Sequence, residues 1–210
     1  MDCKATFYLG EYSRGGLSRG DTQALDHDMG SKQKRIPCGI LNEDGGGLHL
    51  EFGCSYKTSD FIVDSLEACW SCLSPQEQDA IPFIQLKVDN GPESSGVRTQ
   101  FLARLVDWVD RIGKSIQLLY FPPYHSKYNP IERCWGGLEL HWNGALLVDS
   151  DTMLAWAKSM TWKGKHPFVA LNSSEYPKGV RLTKKQMRPI EERLIRNPEL
   201  PKWDILIHPA

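Results

Sequence analysis

Two acidic residues stand at the boundaries of well-marked sequence runs, and they constrain the fold of this chain more than any other feature. Residues 81–88 are apolar enough to form a buried strand, and the strand stops at Asp89, where Asn-Gly follows as a turn signal. A second run starts a helix with Asn129 as N-cap and Pro130 in the first position, so that Glu132 lies in the first turn. Two carboxylates presented in this way can bind hard divalent cations, which support phosphate chemistry.

Hydrophobic periodicity divides the remaining chain into short strands and amphipathic helices. Two short apolar runs flank a glycine-rich turn at residues 42–47 and predict a hairpin, whereas residues 10–35 lack periodicity and predict a long polar loop. The predicted strands are 2–9, 36–41, 48–52, 82–88 and 116–121, and the predicted helices are 59–73, 97–112, 130–142, 151–160 and 184–196.

Antiparallel strands followed by alternating helices and strands predict an α/β protein with a mixed five-stranded sheet flanked by helices, the element order of the ribonuclease H-like fold. We expect residues 1–150 to form this core and residues 151–210 to form a basic helical C-terminal extension. Residues 157–202 contain eleven Lys or Arg and four Glu, although the whole chain has a net charge of −1. This distribution fits a protein that binds phosphates with one part and metal with another; a solvated helical face is the alternative.

Composition places the chain among ordinary globular proteins, with 40% hydrophobic and 24% charged residues. No apolar run approaches the ~20 residues that span a bilayer, and the first residues lack a signal-peptide layout, so a cytosolic protein is expected. The six cysteines are scattered and are expected to be reduced. Cys69 and Cys72 have the spacing of half a zinc site, but no second pair of ligands with metal-site spacing accompanies them.

Residues 88–94 (Val-Asp-Asn-Gly-Pro-Glu-Ser) together with residues 122–135 (Pro-Pro-Tyr-His-Ser-Lys-Tyr-Asn-Pro-Ile-Glu-Arg-Cys-Trp) resemble the DDE transposases of bacterial insertion sequences. The likeness is greatest to the Azoarcus-type group, also called the Rhodopirellula transposases. The N-terminal Asp-Cys-Lys-Ala run and the Tyr-Pro-Lys-Gly-Val run at 176–180 are similar to that group as well, so the resemblance spans nearly the whole chain.

The resemblance implies a ribonuclease H-like catalytic triad of Asp, Asp and Glu that binds two Mg²⁺ or Mn²⁺ ions. By motif position Asp2 is the first acid, with cysteine following it where the family has threonine, Asp89 is the second and Glu132 is the third. Family members carry a helical DNA-binding region ahead of the first acid, so the expectation here is an N-terminally truncated transposase. Three structural alternatives stay open: Asp89 as a turn residue, Glu132 as part of a capping box, and Asp26 or Asp28 in place of Asp2.

The residues around the triad complete the predicted site, and the expected partner is DNA. Asn90 and His125 are secondary candidates for orienting the acids or approaching the phosphate, and the candidate DNA contacts are Arg14, Arg19, Lys127 and Arg133. The resemblance implies DNA strand cleavage and strand transfer at insertion-sequence ends, a possible homo-oligomer in a synaptic complex, and a nucleoid-associated location in the bacterial cytoplasm. The rival hypotheses are an inactive transposase remnant and a ribonuclease H-like nuclease.

Overall fold

A computed structural model describes residues 1–12, 33–122 and 128–210 of the chain. No helix in these three ranges is long and apolar enough to cross a membrane. The elements in chain order are β1 (Asp2–Cys3), β2 (Phe7–Tyr8), β3 (Lys34–Leu41), β4 (Leu48–Gly53), α1 (Ser59–Ser71), α2 (Pro75–Ala80), β5 (Phe83–Val88), α3 (Thr99–Ile112), β6 (Ser115–Tyr120), α4 (Pro130–His141), α5 (Ser150–Ser159), β7 (Phe168–Asn172), α6 (Lys184–Glu191), β8 (Leu194–Arg196) and β9 (Asp204–Ile207).

The described residues form two compact units, which we name after the acids they contain. The Glu132 unit comprises Asp2–Tyr56 and Pro130–Glu175, and the Asp89 unit comprises Met1, Lys57–Asn129 and Tyr176–Ala210. Each unit has its own mixed sheet. The architecture is therefore mixed α/β and is compatible with the predicted ribonuclease H-like fold.

The sheet of the Glu132 unit has the strand order β1-β3-β4-β7, and β2 also pairs with β3. The predicted hairpin of β3 and β4 is confirmed: Asn42 Oδ1 accepts hydrogen bonds from the backbone N–H groups of Asp44 and Gly45, and Gly46 has a positive φ of 69°. One face of this sheet packs against α4 and α5, where Phe52, Trp135 and Trp142 are buried in a single apolar core.

The first predicted strand, residues 2–9, is interrupted. Cys3 pairs with Cys38, and Phe7 pairs with Arg35. The three residues between Cys3 and Phe7 therefore lie opposite only two residues of β3. Pro37 lies at this point and has no backbone N–H to give to the ladder, although its carbonyl accepts a hydrogen bond from Lys4 N. A proline in β3 therefore splits the predicted strand into β1 and β2.

The sheet of the Asp89 unit has the order β5-β6-β9-β8, with β5 and β6 parallel and the other pairs antiparallel. Helix α3 connects β5 to β6, and its apolar face is buried against the core as the sequence predicted. Gly113 ends α3 in the left-handed region at a φ of 65°, which confirms the predicted stop. The N-cap of α1 is Thr58 rather than the predicted Ser59 or Asp60, since its side chain accepts from Phe61 N.

Two expectations about the sheet and the C-terminal segment need correction. The strands predicted for one five-stranded sheet belong to two sheets, because β5 and β6 form a separate sheet in which β9 pairs with β6 and β8 pairs with β9. The expected helical extension contains the helix α6, but residues 151–210 also supply β7 to the first sheet and β8 and β9 to the second. The assignment of catalysis to residues 1–150 stays a prediction.

Candidate active site

Asp2 and Glu132 come together within the Glu132 unit. Asp2 pairs with Gly39 on β3, and Gly39 pairs with Leu50 on β4, so these three residues share one face of the sheet. That face is the one covered by α4, because Leu50 lies in the core together with Trp135. Glu132 is in the first turn of α4, and one carboxylate oxygen of Asp2 lies within 4.8 Å of one of Glu132. A strand and a helix thus deliver two acids to the same place.

Gly39 sets how closely α4 approaches the sheet at this point. A Cβ at position 39 would lie 2.7 Å from Trp135 Cζ2 and 2.9 Å from Ile131 Cδ1. Both side chains are buried and project from the first two turns of α4, and Glu132 lies in the first of these turns. Only a residue without a side chain allows this approach, so the closeness of Glu132 to β1 depends on the glycine directly opposite Asp2.

Asp89 directly follows β5 in the Asp89 unit, at the carboxyl end of a strand parallel to β6. Its side chain is half-buried, and its Oδ1 accepts a hydrogen bond from Asn129 Nδ2 at 3.3 Å. Asn129 is itself only 1% exposed, so its amide is held beside the carboxylate. Helix α4 begins at the next residue, Pro130.

The loop after Asp89 is fixed by two hydrogen bonds. The hydroxyl of Ser94 donates to the Asp89 carbonyl at 3.0 Å, and the hydroxyl of Tyr120, at the end of β6, donates to the Ser94 carbonyl at 2.6 Å. Burial raises the pKa of the Tyr120 phenol, which keeps this hydroxyl protonated and able to donate. The backbone that carries Asp89 is therefore anchored to its own loop and, through Ser94, to the end of β6.

The thiol nearest in sequence to Glu132 is unsuited to binding metal. Cys134 is buried, and burial raises its pKa to about 11. Its Sγ donates to the Pro130 carbonyl within the same helix, at 3.7 Å. Because a metal ligand must be a thiolate, Cys134 stays a neutral part of the core at physiological pH.

The other predicted site residues fall into two groups. Asn90 and Arg133 are both exposed, each directly following one of the acids in sequence. His125, Lys127, Arg14, Arg19 and the substitute acids Asp26 and Asp28 lie outside the described residues.

Two positioning residues escaped the sequence analysis. Asn129 was predicted only as a helix cap, although its place in the Asn-Pro-Ile-Glu motif was a signal that it serves the site. Gly39 carried no signal, because its importance follows from strand register and from the packing of Trp135.

The comparisons with known proteins agree with the motif-based expectation. A family model described as the Rhodopirellula transposase DDE domain matches residues 1–209. No curated protein and no solved structure matches the chain. Because the model covers nearly every residue, including all three predicted acids, the chain belongs to the Rhodopirellula transposase DDE domain family.

Proposed function

We propose that Asp2, Asp89 and Glu132 form a triad that binds two divalent cations and catalyses DNA strand cleavage and strand transfer at insertion-sequence ends. The observation that carries the proposal is the pair of carboxylates, Asp2 and Glu132, within 4.8 Å of each other in a chain of the DDE transposase family. Family membership implies transposase-type chemistry and a DNA partner. The proposal assigns that chemistry to the three acids of the triad.

Chain connections support the inclusion of Asp89. Met1 N donates to the Lys87 carbonyl at 2.6 Å, two residues before Asp89, and Asp2 is the next residue after Met1. Asn129 donates to Asp89 Oδ1, and Glu132 follows Asn129 by three residues. Asp2 and Glu132 thus each lie within three residues, along the chain, of a residue that is hydrogen-bonded to Asp89 or to the strand before it.

The donor set fits Mg²⁺ or Mn²⁺. All three side chains offer carboxylate oxygens, which hard cations prefer, and the nearby Cys134 is held as a neutral thiol. Two carboxylates as close as those of Asp2 and Glu132 repel each other, and a bound cation would relieve that repulsion.

In the proposed mechanism each residue holds or orients a group. Asp2, on a strand, and Glu132, on a helix, would bind cations from two rigid elements, while Asn129 would keep the Asp89 carboxylate oriented. Bound cations would supply charge stabilisation at the attacking and leaving oxygens of the phosphodiester. Arg133, exposed beside Glu132, would contact a DNA phosphate.

The remaining parts of the expectation also stay proposals. They comprise orientation by Asn90 and His125, DNA contacts from Arg14, Arg19 and Lys127, a homo-oligomeric synaptic complex, and a nucleoid-associated location in the cytoplasm.

Strand cleavage and joining test the proposal together. The 210-residue chain is incubated with supercoiled plasmid and with a labelled oligonucleotide carrying a free 3′-hydroxyl, in Mg²⁺, Mn²⁺ or EDTA. We expect metal-dependent nicking and covalent joining, both lost in Asp89→Asn and Glu132→Gln. Nicking without joining would reject the transposase activity and support a ribonuclease H-like nuclease. Equal products from the parent and both variants would reject the triad.

A further inference from the structure

We infer that the outer face of α6 is a docking surface for the phosphate backbone of duplex DNA, separate from the proposed triad. The inference rests on the proposed function for its partner and goes beyond it in naming the surface. We define the α6 basic face as Lys184, Lys185 and Arg188, together with Arg181 in the segment before the helix. All four side chains are exposed.

The orientation of α6 leaves these cations free to face solvent. Met187 and Ile190 are half-buried and lie on one side of the helix, and the preceding segment is tied to α3 by a hydrogen bond from Leu182 N to Thr99 Oγ1. Lys184, Lys185 and Arg188 lie on the opposite side at helical spacing. No Asp or Glu occurs between residues 176 and 190, so the face carries charge of one sign.

Other arginines of the Asp89 unit are used differently. Arg98, Arg104 and Arg111 each form ion pairs with carboxylates, and Arg193 and Arg196 do so as well. Within the described ranges, Arg181, Lys184 and Lys185 have no carboxylate at ion-pair distance, and Arg188 has only an exposed contact with Glu192 at 3.6 Å. The unit neutralises its structural cations internally and leaves this group available to an external anion.

The position of the two lysines also has a local cost. Thr183 caps α6, so Lys184 and Lys185 occupy the first turn, where the helix dipole disfavours positive charge. No residue of α6 is fully buried, so packing of this helix does not offset the unfavourable placement of the two lysines. A departure from local preference without a structural gain is typical of a binding surface. DNA is the partner that we infer for this face, because its phosphates present regularly spaced negative charges and the proposed reaction acts on DNA.

Salt dependence of DNA binding tests the inference. Affinity of the full chain for a random-sequence duplex is measured in EDTA between 50 and 200 mM salt, for the parent and for Lys184→Gln/Lys185→Gln/Arg188→Gln. Each phosphate contact contributes about 0.9 to the slope of log affinity against log salt. Losing three contacts lowers the magnitude of this slope by about 2.7. Between 50 and 200 mM salt, the affinity of the variant should therefore fall by a factor about 40 times smaller than that of the parent.

Two control variants separate the local effect from general charge and from folding. Lys114→Gln/Lys158→Gln/Lys202→Gln removes the same charge elsewhere and should retain most of the parental slope. Lys184→Arg/Lys185→Arg should retain it as well. Parental slope in the α6 variant, or an equal loss in the charge-matched control, would overturn the inference and leave the face to solvent or to an acidic protein. Binding in EDTA requires neither bound metal nor catalysis, so the outcome of this measurement is independent of the triad proposal.

Discussion

The side-chain amide of Asn129 donates to Asp89 Oδ1 while its backbone directly precedes the helix that carries Glu132. A hydrogen bond to one oxygen of a carboxylate restricts the rotation of the carboxylate. Partners that orient metal ligands in this way contribute to metal affinity although they do not touch the metal. Asn129 therefore acts as a positioning residue in the proposed site.

Replacing Asn129 by alanine tests this role. We expect Asn129→Ala to lower the rate of Mg²⁺-dependent plasmid nicking by roughly 10- to 100-fold, the usual effect of losing such a partner. Higher Mn²⁺ concentration should recover part of the rate, since the defect is in ligand orientation. Gln85→Ala on the exposed face of β5 is the control and should nick at the parental rate. An Asn129→Ala rate equal to that control would show that the hydrogen bond has no part in the reaction.

At the scale of single residues, the sequence predicted Asp89 and Glu132 as metal ligands because each stands at the boundary of a recognisable run, whereas Asp2 was predicted from the family resemblance. Asp89 ends a strand, and Glu132 follows an Asn-Pro helix start. Gly39 could not be identified in the same way. Its role depends on its pairing with Asp2 and on the Trp135 ring above it, and both are consequences of the assembled sheet.

Helix α4 and strand β3 are in contact through the surface that Gly39 leaves open. Gly39→Ala places a methyl group against the rigid Trp135 indole, and such overpacking typically costs about 1–3 kcal/mol. We expect urea unfolding to show this loss of stability, and metal-dependent nicking to fall as α4 is displaced from Asp2. Gly47→Ala is the matched control, since no heavy atom lies within 4 Å of its added Cβ. The same unfolding free energy in both variants would mean that α4 adapts to the methyl group without shifting.

The C-terminal strands show which elements sequence patterns fail to predict. The helices α3 and α4 have long periodic runs and were predicted nearly to their ends, whereas β8 has three residues and β9 has four. Runs this short carry no distinguishable period. Their conformation is decided by the pairing of β9 with β6, which is distant in sequence, and by the pairing of β8 with β9.

The contribution of β9 to the second sheet can be measured directly. Ile205 is fully buried, and Ile205→Ala should lower the free energy of unfolding by about 2–5 kcal/mol because it leaves a cavity. Ile195 on the neighbouring β8 is 55% exposed, so Ile195→Ala should change stability by less than about 0.5 kcal/mol. Equal, small effects in denaturant titrations would show that the C-terminal strands are dispensable for the fold.

At the scale of the whole molecule, the mixed α/β class and the order of the first elements were predictable from the sequence, but the division into two sheets was not. Strand partners in a sheet depend on contacts between distant segments, and residues 151–210 contribute strands to both units. The proposed metal site is built from acidic residues, and the exposed α6 basic face lies on a different element, so the two proposals concern different parts of the chain.

Counting bound Mn²⁺ ions by electron paramagnetic resonance tests the central claim most directly, because it requires neither a DNA end nor turnover. The account predicts two Mn²⁺ ions per chain, displaced by Mg²⁺, and a loss of affinity in each of Asp2→Asn, Asp89→Asn and Glu132→Gln with the fold intact. A parent chain that binds no Mn²⁺, or an Asp89→Asn variant that binds as tightly as the parent, would contradict it.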